Sequence, residues 1–197
     1  MSVCERLREE FADAVALRSA RHLAQAIELS VPLNDVEHSA PLWGVATVDR
    51  DAAGIYQPAE TLGSSPEKHW ILPVGRISPD LDSWEELVDL VAINPTVPDR
   101  WWCRRRSWPL LGIDHHERTI FMGEPLLLVS TPVAWLQRGG NACVVIDWSF
   151  QPQATFAGAT EIVCDTPALA RQLHRRIDEC NKPFRIRTRP APSGGTR

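Results

Sequence analysis

Twice in the last third of this 197-residue chain a short apolar run delivers the backbone straight into Thr-Pro. The two stretches are VSTPVAWL (Val129–Leu136) and CDTPALAR (Cys164–Arg171). A threonine caps a helix through its side-chain oxygen, and proline suits the first helical position, where its missing N–H is not needed. Each stretch therefore reads as a strand feeding a helix. Leu126–Val129 and Cys143–Ile146 are continuous apolar runs, the pattern of strands buried on both faces, and Glu161–Cys164 reads as a third. Gly139–Gly140 stop the first helix. The second places Leu169, Leu173, Ile177 and Cys180 on one face, with Arg171, Arg175 and Arg176 on the other, and Pro183 ends it. In parallel sheets ligands bind beyond the carboxyl ends of the strands, where Ser130, Thr131, Asp147, Asp165 and Thr166 gather.

The rest of the chain has a different grain. Ser2–Ser30 contains neither Pro nor Gly. Leu7, Phe11 and Val15, then Leu23 and Ile27, predict an amphipathic helix, or two helices broken around Arg18–Arg21. From Val31 to Gly123, Pro, Gly and Trp bound short apolar runs (Leu42–Val48, Trp70–Val74, Leu87–Ile93, Trp108–Ile113), which predict a mainly antiparallel sheet. A short helix over Leu81–Leu90 competes with one of these strands. The fold class is α+β: an N-terminal helix, a mainly antiparallel middle sheet and a C-terminal β-α-β-β-α parallel unit. The segments are 1–30, 31–123, 124–182 and a basic tail, 183–197, expected to form one compact domain.

No apolar run approaches the roughly 18–20 residues of a spanning helix, and the first residues lack a leader's basic-then-apolar pattern. Five cysteines, an odd number without a CxxC, argue against a disulfide framework and for a reducing, cytoplasmic setting. The net charge of −4 is unevenly spread: Arg171–Arg197 hold eight basic and two acidic residues, which leaves −10 on the other 170. A basic tail on an acidic body suits an anionic partner such as nucleic acid.

The order strand, Gly-stopped helix, strand, longer loop, strand, Ala/Arg-rich helix over Glu124–Glu179 resembles the Toprim module of primases, topoisomerases and related nucleases. PLLLVSTPVAWLQRGGNACVVID looks like its first strand–helix–strand, and TEIVCDTPALARQLHRRI like its later strand and helix. The resemblance implies a Glu after the first strand and an Asp-x-Asp after the later one, jointly holding a divalent metal. Here Ser130 fills the Glu position and Asp165-Thr166-Pro167 the acidic pair. One carboxylate with hydroxyls in place of the others does not localise magnesium. The resemblance thus implies a scaffold kept without its chemistry and no cofactor. A metal-dependent nuclease or primase-like enzyme would instead have to use Asp147 and Asp165 with Glu124 or Glu161.

Arg100-Trp101-Trp102-Cys103-Arg104-Arg105-Arg106-Ser107-Trp108 interleaves guanidinium groups for phosphates with indole faces for bases. The opposing reading buries a Trp and pairs the arginines with Glu85, Glu86, Asp89 or Asp99. Arg185, Arg187 and Arg189 alternate along the tail as a second candidate contact. His115-His116 reads as an exposed turn pair rather than a zinc site. Ser130, without a GxSxG elbow and with only His174 and Asp147 as conceivable helpers, reads as a cap. No Walker loop, GxGxxG or HExxH occurs. Eight tryptophans exceed what a small core hides, which predicts an interface. The sequence therefore predicts a non-enzymatic protein that binds nucleic acid or a nucleoprotein complex, with a protein partner and no membrane. A phage-type or mobile-element inhibitor or accessory fits these features, and a purely oligomerising subunit is the further alternative.

Overall fold

The computed structural model describes residues 2–32, 40–50, 54–59, 68–77 and 84–181. Arg185, Arg187, Arg189 and the proposed helix stop at Pro183 lie outside these residues.

Helices α1 (Val3–Ala16) and α2 (Ala20–Glu28) are the broken pair that the sequence allows. Ser2 and Glu5 form a reciprocal capping box that starts α1, which buries Leu7, Phe11 and Ala14. The apolar stripe does not continue into α2, where Leu23 and Ile27 are exposed and Ala26 is buried. The chain turns between the helices, so a spacing counted across the break loses its meaning.

Strands β1 (Gly44–Arg50), β2 (Tyr56–Pro58), β3 (Lys68–Ile77), β4 (Trp84–Ile93) and β5 (Trp101–Cys103) form an antiparallel sheet in the order β2-β1-β3-β4-β5. Gly44, Ile71, Ala92 and Trp102 are aligned across four strands and share one face. Helix α1 lies on that face so closely that a Cβ on Gly44 would sit 2.6 Å from the backbone of Ala14 and Val15. The adjacent row, Val45, Trp70, Ile93 and Trp101, faces the other way. There the Trp101 indole donates to the Ile146 carbonyl at 3.0 Å, which joins the sheet to the C-terminal third.

Over Trp84–Leu90 the strand prevails over the competing helix. Register shifts at Val74/Gly75 and Arg76/Ile77 interrupt the pairing of β3 with β4. They also break the two-residue alternation that would have marked β4 plainly.

The C-terminal third contains β6 (Leu110–Leu111), α3 (Ile113–Met122), β7 (Leu126–Leu128), α4 (Pro132–Gln137), β8 (Val144–Val145), α5 (Pro152–Thr155), β9 (Ile162–Cys164) and α6 (Pro167–Cys180). Both Thr-Pro sites behave as expected: Thr131 Oγ1 accepts from Ala134 N–H at 3.1 Å, and Thr166 Oγ1 from Leu169 N–H at 3.2 Å. Strands β7 and β9 are parallel, and Cys143 bridges Leu128 in the parallel sense before β8 pairs antiparallel with β6. β9 is half exposed at an edge rather than buried on both faces, with Val163 outward.

Alternate residues of this small sheet serve two cores. Leu111, Val129, Val144 and Ile146 join the core under the large sheet, while Leu110, Leu126, Leu128 and Val145 meet Phe150, Leu169 and Leu173. Of the eight tryptophans, Trp43, Trp70, Trp84 and Trp135 are buried in the core under the large sheet, and Trp101, Trp102 and Trp148 are half-buried. Trp108 is exposed.

Candidate functional site

The Arg/Trp segment is not one continuous strand face. Only Trp101–Cys103 are β; the chain then leaves the sheet, and Arg106 takes a left-handed φ of 58°. Trp101 and Trp102 fall on opposite faces, Trp102 lying edge-on to His69 at 5.4 Å and beneath the Arg50 guanidinium at 4.4 Å. Arg104 turns inward: its Nε is 3.1 Å from the Glu10 carboxylate, which also accepts the Tyr56 hydroxyl proton at 3.1 Å. Arg104 therefore ties the end of β5 to α1. The pairing of arginines with an acidic body that the sequence suggests is met here by Glu10, an acid 94 residues away.

What remains is a turn held from below. Asp89 on β4 is fully buried. Its Oδ1 accepts from the N–H groups of Leu90 and Arg105, each at 2.8 Å, and its Oδ2 from Ser107 N–H at 2.9 Å. Burial pushes the Asp89 carboxyl up from its ordinary range, and the backbone donors from Ser107, Leu90, Arg105 and Arg106 oppose that shift. A buried carboxylate thus fixes a strained turn whose Arg105, Arg106, Ser107 and Trp108 side chains are exposed, with Arg100 exposed just before β5. The sequence places Asp89 among the ion-pair partners of the arginines; in the fold it binds backbone instead.

The strand-exit edge forms a concavity of about 370 Å³, lined by Trp101, Ser130, Trp148, Thr166, Leu169 and Gln172. Ser130 donates to Asp165 Oδ2 through both N–H and Oγ, each at 3.0 Å, so Ser130 ties two strand ends together rather than capping α4. Asp147 accepts from Ser149 N–H at 2.9 Å. Glu124 and Glu161 precede β7 and β9, so the parallel strands carry them to the opposite edge from Asp165. The acids named for a metal-dependent reading are therefore not gathered, and among the described residues no group of three or more His, Cys, Asp or Glu is placed to hold a metal ion.

His115 and His116 lie on α3 rather than in an exposed turn. His116 is 8% exposed, and burial together with Arg118 and His116 lowers His115 to about 4. Of the basic helix face, Arg176 is committed to structure, donating to the carbonyls of Ser149 and Phe150 at 2.7–3.0 Å.

Fold and site together define an α+β protein with an anchored Arg-Arg-Ser-Trp turn at one end of a five-stranded sheet. No protein-family model, no curated protein and no solved structure matches this chain. No described helix is long and apolar enough to cross a membrane.

Proposed function

We propose that this is a non-catalytic nucleic-acid-binding protein that contacts its partner through the turn Arg105–Trp108, with Arg100 beside it. The observation that carries this reading is Asp89. Burying a carboxylate is costly, and here it accepts from the backbone N–H groups of Arg105 and Ser107 in a turn whose residues are exposed. Two adjacent guanidinium groups and an indole on a fixed backbone suit a phosphate chain and a stacked base. The Toprim-like order of Glu124–Glu179, without its gathered acids, fits a scaffold that binds without cutting. An inhibitor or accessory of a nucleic-acid-processing complex, of the kind phages and mobile elements encode, is the role consistent with both features.

The test is the affinity of the full chain for single-stranded and duplex oligonucleotides across a salt series. Replacing Arg105 and Arg106 together by Ala should weaken binding and flatten the log–log salt slope by about 0.7–0.9 per lost phosphate contact. A folded double variant with unchanged affinity and slope on both substrates would reduce the turn to architecture.

A further inference from the structure

Strand β9 has one unused side. Leu126 N–H donates to the Glu161 carbonyl and Asp165 N–H to the Leu128 carbonyl, each at 2.9 Å, which turns Glu161 and Asp165 toward β7. Backbone groups of successive strand residues point to alternate sides, so those of Ile162 and Cys164 point away from β7. There, among the described residues, no strand pairs with them. A groove of about 490 Å³ follows this side, lined by Ile162 and Cys164 of β9 and by Ala170, Leu173 and Ile177 of α6.

The faces on which the two crossover helices lie say where a further strand belongs. Between β7 and the parallel bridge at Cys143 the chain passes through α4, whose Val133, Trp135 and Leu136 join the core under the large sheet. Strand β9 lies on the other side of β7, and the helix that follows it, α6, joins the second core with Phe150. Crossovers between parallel strands are right-handed in about 98% of cases. Reversing direction across a sheet then requires the helix to change faces, and α6 has changed faces. A strand that follows α6 belongs beyond β9, on its unused side.

Residues 182–197 follow α6 and lie outside the described structure. Three residues separate Cys180 from Phe184-Arg185-Ile186-Arg187-Thr188-Arg189, an ordinary length for a helix-to-strand connection. The period of two in this stretch matches that of β9. Ile162 and Cys164 are half-buried and pack toward the second core, whereas Glu161, Val163 and Asp165 are exposed. A parallel neighbour that turns Phe184 and Ile186 toward α6 sets Arg185, Arg187 and Arg189 on the face of Glu161 and Asp165. Opposite charges then meet across the strands on one face, and apolar side chains close the groove on the other.

We propose that residues 184–188 add to β9 as a parallel edge strand, with Phe184 and Ile186 occupying the groove beside Leu173 and Ile177. The occupant is this chain's own tail, and the inference does not rest on the Arg105–Trp108 reading.

The test is backbone amide exchange in the full chain, followed residue by residue by NMR. The Ile162 and Cys164 amides should be protected in the parent. Ile186→Pro removes a backbone donor from the added strand. It should speed exchange at Ile162 and Cys164 at least tenfold and leave the Asp165 amide, bonded to Leu128, unchanged. A combined Phe184→Asp, Ile186→Asp variant, which keeps every backbone donor, should act in the same direction. Equally fast exchange at Ile162 and Cys164 in parent and variants would leave the edge bare and overturn the proposal. Protection that survives both variants overturns it as well. Protection that fades on dilution assigns the edge to a second copy of the chain instead of the tail.

Discussion

At the scale of single residues, the decisive group is one whose role is invisible along the chain. Asp89 sits in an apolar strand and gives hydrogen-bond acceptors to Arg105 and Ser107, 16 and 18 residues later. Its Oδ1 and Oδ2 are both engaged, so an amide cannot replace it without turning a donor toward a donor. Asp89→Asn should therefore cost about 1–3 kcal/mol, the usual range for a buried donor left unsatisfied. The shift in urea midpoint at unchanged m would measure it. Because the same bonds hold the Arg105–Trp108 turn, the variant should also lose nucleic-acid affinity while remaining folded in low denaturant.

At the scale of elements, legibility follows how local the signal is. The two Thr-Pro starts, the Gly139–Gly140 stop and the broken N-terminal pair are written in neighbouring residues, and each is present in the fold. Helix α3 occupies the stretch around His115 and His116 where the sequence predicts a turn, because its determinants are not local. Its N-cap is Gly112 at φ 92°, a position where a Cβ would lie 2.2 Å from the Ala142 carbonyl oxygen. Its sequence, rich in His, Thr and Ile, has modest helical propensity. What stabilises it is the packing of Ile113, His116 and Thr119 at successive three-residue steps. The site was legible in part for the same reason. Composition marked the Arg/Trp segment, but the division of labour between Arg104 and its neighbours depended on Glu10 and Asp89, which only the folded chain brings close.

Helix α3 also predicts a pH response. His115 lies near 4 in the folded chain, held down by burial and by Arg118 and His116, against an ordinary value near 6.5. His116 is lowered as well, mainly by burial. The unfolded chain therefore binds more protons than the folded one between these values, so stability falls as pH drops from about 6.5 toward 4. His115→Gln should flatten that limb of the stability–pH curve. A slope left unchanged in the variant would place the proton uptake elsewhere.

At the scale of the whole molecule, the small sheet makes the C-terminal third inseparable from the rest. Its β6 and β8 strands pair across the boundary at residue 123, and its residues alternate between the two cores. Damage to the outer core should therefore be transmitted to the inner one. Leu173 on α6 is 5% exposed and packs in the outer core with Leu169, Phe150 and Phe156. Leu173→Ala removes buried methyl groups and should cost about 2–5 kcal/mol. Its cost should be felt in one cooperative transition. Tryptophan fluorescence is weighted toward Trp43, Trp70 and Trp84 in the inner core, whereas far-UV circular dichroism also reports α6. The two probes should move to lower urea by the same amount. If the dichroism midpoint falls while the fluorescence midpoint stays, α6 and the outer core unfold on their own, and the shared sheet is a seam rather than a common wall.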